Sequence, residues 1–62
     1  MTAPRFALDR STGVLVGVGP DPRAMPIRCR VADVPTVADR WRRRGHDAAA
    51  AALEDAAMRV NR

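Results

Sequence analysis

Sixty-two residues with a net charge of +4, eleven arginines and no lysine make one small domain at most, spanning residues 1–62. The apolar fraction of 47% overstates its core, because twelve of those residues are alanine and Leu, Ile, Val and Phe together number twelve. A single cysteine, Cys29, excludes an intramolecular disulfide framework and a cysteine-based zinc site, and no stretch approaches the roughly 18–20 apolar residues of a membrane helix.

The opening stretch M-T-A-P-R-F-A-L-D has no apolar run of the kind a signal peptide carries, so a cytoplasmic location is expected. Phe6 to Asp9 alternates apolar with small or polar residues, the period of a half-buried strand. Asp9-Arg10-Ser11-Thr12-Gly13 then ends in the residue that tolerates positive φ in a short hairpin loop. Val14 to Val18 alternates again, which puts Val14, Val16 and Val18 on one face and Leu15 and Gly17 on the other. Gly19 to Pro26 holds three prolines and reads as a stiff loop. A third strand is expected from Pro26 to Ala32, with Ile27, Cys29 and Val31 facing the core and Arg28 and Arg30 facing away.

The helical part starts near Thr36, which with Asp39 three residues on forms a variant of the capping box, Pro35 standing just outside. Val37 and Trp41 share one face with Val34 and Ala38 beside them, while Arg40, Arg43 and Arg44 point elsewhere. Gly45 is the expected stop, after arginines that suit the negative end of the helix dipole. Asp47 then caps a second helix with Ala49, Ala52, Leu53, Ala56 and Val60 in one stripe, and Asn61 and Arg62 fray. The competing expectation is one helix running through Gly45 at a cost of about 1 kcal/mol. The fold class is α+β: a three-stranded antiparallel sheet, made of a β-hairpin and a third strand, followed by two short C-terminal helices, with Trp41 buried against Phe6, Val16 and Leu53.

This order of elements, with the D-x-x-T-G turn at Asp9 to Gly13 and the T-V-A-D-R-W pattern at Thr36 to Trp41, resembles the small sheet-reading DNA-binding domains of integrases and some plant transcription factors. The long proline loop and the second helix depart from it. The resemblance is one of fold and carries no residue assignments.

No catalytic, metal or cofactor motif stands out. Cys29 shares a strand face with Ile27 and Val31, the setting of a small buried hydrophobe, and His46 sits beside Asp47 in the interhelix turn with no second histidine to recruit. Gly13, Gly17 and Gly19 lack the lysine and the following helix of a phosphate loop. The arginines remain. Arg28 and Arg30 lie on the open sheet face, expected to carry Ala7, Leu15 and Gly17 as well, with Arg5 near its end. Arg40, Arg42, Arg43 and Arg44 form a denser group, of which Asp39 and Arg43 make an i,i+4 pair worth a few tenths of a kcal/mol. With Phe6 and Trp41 both assigned to the core, recognition of single strands by base stacking is not expected. The reading is a non-enzymatic regulatory or accessory protein that binds an acidic partner through these six arginines, nucleic acid (DNA) ahead of protein. The alternative is a protein-interaction module, a small inhibitor or adaptor that can form a homodimer, using an exposed strand edge or the alanine face of the second helix.

Overall fold

The computed structural model describes residues 5–20 and 26–60. Three strands, β1 (Phe6–Asp9), β2 (Val14–Gly17) and β3 (Ile27–Arg30), form one antiparallel sheet in the order β1-β2-β3, followed by helices α1 (Val34–Arg43) and α2 (Asp47–Val60). The expected proline loop lies largely outside the described residues, as do Asn61 and Arg62. No described helix is long and apolar enough to cross a membrane.

The hairpin loop sets the register. Asp9 accepts at its backbone carbonyl from the amides of Thr12 and Gly13 at 3.2 and 2.7 Å, and Gly13 takes φ +72°. The Asp9 carboxylate accepts from the Ser11 amide (3.0 Å) and hydroxyl (2.6 Å), an Asx turn that locks the corner. Four loop residues therefore pair Asp9 with Val14, Leu8 with Leu15, Ala7 with Val16 and Phe6 with Gly17. On the other side of β2, Leu15 pairs with Cys29 and Val16 with Arg28.

This register reverses the expected facing of β2. Directly paired residues share a face, so once Phe6 and Leu8 point inward, Gly17 and Leu15 must point inward with them. Leu15 is 1% exposed and Cys29 is buried beside it, whereas Val14 and Val16 stand half-buried on the outer face. Gly17 is required there: a Cβ would run into the carbonyl oxygen of Arg5 and the ring of Phe6. The space a side chain would occupy is filled by that ring, which stacks on Trp41 with centroids 5.8 Å apart and planes at 29°. Trp41 is buried as expected, in one core with Leu53 and with Phe6 packed against it, but Val16 is not among its neighbours because it projects from the opposite face.

β3 is shorter than expected. Val31–Asp33 turns into a 3-10 segment, and the Val34 amide donates to the Val31 carbonyl, so the chain enters α1 already wound. That lead-in explains why the Thr36 capping box does not form: α1 begins at Val34, with proline in its first turn, where a missing N–H costs nothing, and with no side-chain cap. Val34, Ala38 and Trp41 bury one face of α1.

The two helices are separate. Gly45, at φ +85°, donates its amide to the Arg42 carbonyl (3.0 Å), and His46 donates to the Trp41 carbonyl (2.8 Å). This is a Schellman motif, which satisfies carbonyls that a helix end would otherwise leave bare. Asp47 does not act as a cap; it is the first residue of α2, where its charge suits the helix dipole. The buried stripe of α2 is Ala49, Ala50, Leu53, Ala56 and Ala57, while Ala52 and Val60 are half-buried. The alanine face thus lies in the core, packed with α1 and the inner sheet face, and is not a surface for a partner.

Two stability measurements follow. Trp41→Ala removes a side chain whose loss costs about 3–5 kcal/mol from a domain holding about 3–9 kcal/mol, so denaturant titration should find little folded protein. Gly45→Ala forces a Cβ into the left-handed region and should cost about 1–2 kcal/mol, lowering the midpoint while leaving a folded protein.

Candidate basic interface

The six arginines singled out from the sequence stand on two separate layers. Arg28 and Arg30 project from the outer face of β3, away from the side that Leu15 and Cys29 share with the helices. Arg40, Arg42, Arg43 and Arg44 belong to the C-terminal end of the helix packed on the inner side. No one face gathers them all.

Their partners divide them further. Arg42 reaches across to α2 and forms an ion pair with Glu54, a pairing that spacing along one helix does not predict. Twelve positions separate the two, so only the interhelix turn brings them together. Arg43 pairs with Asp39 at 3.2 Å, as the i,i+4 spacing predicts. Arg59 pairs with Asp55 at 3.1 Å on α2. Among the described residues, Arg28, Arg30, Arg40 and Arg44 form no ion pair, and all four are exposed.

The outer sheet face is therefore a small basic surface over an apolar floor. Its rows, read across the strands, are Ala7-Val16-Arg28 and Asp9-Val14-Arg30. Leu15 and Gly17, expected here, are on the inner face, and the valines take their place. Arg10, in the hairpin loop, lines a hollow with Leu8 and the α2 residues Ala56 and Arg59. The one carboxylate on the outer sheet face, Asp9, is held below its ordinary pKa by the Ser11 hydroxyl first and the Ser11 amide second. It is already engaged in the loop and does not reach the arginines of β3 as an ion pair.

The other reactive groups stand apart. Cys29 is buried on the inner face, and its thiol donates to the Arg30 carbonyl at 3.3 Å. Burial first, and the Asp33 charge second, push that thiol up, which keeps it protonated near neutral pH, whereas an activated nucleophile is shifted the other way. His46 is exposed in the interhelix turn, where its backbone serves the Schellman motif. No group of three or more metal-ligating side chains occurs among the described residues.

No family model, curated protein or solved structure matches the chain, so the functional reading rests on the residues themselves.

The ion pair between helices has a pH signature. The hydrogen bond from Arg42 holds the Glu54 carboxyl below its ordinary value, as the Ser11 bonds do for Asp9. A group whose pKa is depressed by folding contributes stability that is complete above its unfolded pKa and is lost as the pH falls through its folded one. Thermal midpoints should therefore fall on acidification through and below the ordinary carboxylate range. Glu54→Gln should flatten that fall, and Arg42→Ala should flatten it by a similar amount.

Proposed function

We propose that this chain is a non-enzymatic regulatory or accessory protein of the cytoplasm that binds an acidic partner, duplex DNA foremost, through the outer face of its sheet. The observation that carries the reading is the pair Arg28 and Arg30, side by side on a sheet face that no described element covers, exposed, and without a described carboxylate partner. Arginine presents a planar fork suited to phosphate oxygens and to the guanine edge, and the net charge of +4 favours encounter with a polyanion. The floor of Val14, Val16 and Ala7 is small enough for a backbone to approach closely. Arg42 and Arg43, engaged with Glu54 and Asp39, take a structural part in this reading. Arg40 and Arg44, on the other layer, lie outside this contact. The second reading, a protein-interaction module acting as a small inhibitor or adaptor, is favoured by a different observation, the edge of β3 with which no described strand pairs.

The test is anisotropy with a generic duplex at several salt concentrations. Contacts from Arg28 and Arg30 amount to about two phosphates, so log affinity should fall against log salt with a slope of about −2. The double variant Arg28→Ala/Arg30→Ala should reduce the slope by about one to two units with stability changed by no more than about 0.5 kcal/mol. Arg42→Ala/Arg44→Ala should leave the slope near the wild-type value. A slope that instead depends on Arg44 would move the interface to the helical layer, and absence of duplex binding at low salt would rule out the nucleic-acid reading.

A further inference from the structure

We infer that the open edge of β3 docks an extended acidic peptide. The peptide is added antiparallel to Ile27–Arg30, with two carboxylate side chains set against Arg28 and Arg30 and apolar side chains alternating with them. This rests on the second reading, the interaction module acting through this edge, and not on the nucleic-acid one.

The backbone supplies the template. The Val18 amide donates to the Arg5 carbonyl at 3.2 Å, which makes Arg5 and Val18 a hydrogen-bonded pair of the β1–β2 ladder. Bonded and non-bonded pairs alternate in an antiparallel ladder, so Ala7–Val16 and Asp9–Val14 are bonded pairs as well. Val14 and Val16 thus turn their amides and carbonyls toward β1. Leu15 and Gly17 turn theirs toward β3, where Cys29 and Ile27 answer. Arg28 and Arg30 are left with their backbone groups directed outward, and no described strand lies on that side. The Arg30 carbonyl accepts from the Cys29 thiol, which leaves the Arg28 N–H and C=O and the Arg30 N–H for an incoming strand.

The side chains then select the occupant. Residues of an added strand opposite Arg28 and Arg30 lie two apart and share the outer face with them, while the neighbours opposite Cys29 and Ile27 point inward. A hollow of about 450 Å³ reaches over this edge, lined by Val14, Val16, Arg28 and Arg30 on the outer side and by Ile27, Cys29 and Val37 on the inner side, with Asp9 and Asp33 also in its wall. Opposite charges directly across a ladder are favourable and like charges unfavourable. The matching sequence is therefore acidic-apolar-acidic-apolar in extended form. A nucleic acid can meet the guanidinium groups but has no alternating amides to complete the ladder.

The probe is a blocked hexapeptide, Thr-Glu-Val-Glu-Val-Thr, titrated into the full-length ¹⁵N-labelled chain. Amide hydrogen exchange at Arg28 and Arg30 should slow by about tenfold or more at saturation, with the inward-bonded amides of Ile27 and Cys29 changed much less. Arg28→Ala and Arg30→Ala should each weaken binding by about two- to five-fold with the fold retained. N-methylation of the second glutamate, the residue set opposite Arg28, should abolish binding. The inference is overturned by a peptide that does not bind at low salt or by binding that survives N-methylation. It is equally overturned if a Glu-Glu-Val-Val permutation or a short oligonucleotide reproduces the protection at Arg28 and Arg30.

Discussion

The sheet and the helical layer are joined by one aromatic contact, the stack of Phe6 on Trp41, and the chain holds no other aromatic side chain. Its geometry depends on a residue that contributes no side chain. Gly17 lies directly across from Phe6, and only a bare Cα lets the ring lie down over β2 and reach the indole. Half of the ten buried core residues are alanines, each of which contributes little apolar area, so the large side chains Leu15, Leu53 and Trp41 carry a disproportionate share of the burial. The helices can approach closely because their contact is lined with small residues, and the Schellman turn at Gly45 holds them at the angle that lets Leu53 and Trp41 enter the same core.

Much of this is legible in the sequence because the signals are local. The strands announce themselves by alternation, the hairpin by Asp9 to Gly13, and the break between helices by Gly45 after a run of arginines. Alternation within β2 alone points its facing the wrong way, because three β-branched residues outvote one leucine. Pairing decides it instead: a four-residue loop beginning after Asp9 sets Leu8 against Leu15. Taken with the inward facing already expected of Phe6, that count would have given the observed answer. The capping box at Thr36 failed for a similar reason. A proline pre-set for the first turn and a 3-10 lead-in start the helix earlier than the box would.

The basic residues divide along the same line between local and tertiary information. The pairing of Asp39 with Arg43 follows from spacing along one helix. The pairing of Arg42 with Glu54 requires the chain to reverse between them, and only the presence of Gly45 and a second amphipathic stripe hinted at it. Alternation alone puts Arg28 and Arg30 on the outer face, and they are there. What alternation could not supply is their surroundings: valines in place of leucine and glycine, and a strand edge whose backbone is turned outward at the same two residues.

That coincidence also governs how copies of this chain treat one another. A strand edge with which no described strand pairs, beside half-buried valines, is the arrangement from which sheets extend into fibrils. Two copies meeting antiparallel through β3 and centred on Cys29, however, would set Arg28 of each against Arg30 of the other. The resulting repulsion is screened only at high ionic strength. The same guanidinium groups that invite an acidic strand thus act as gatekeepers against self-templated growth, and colloidal stability falls as salt is raised.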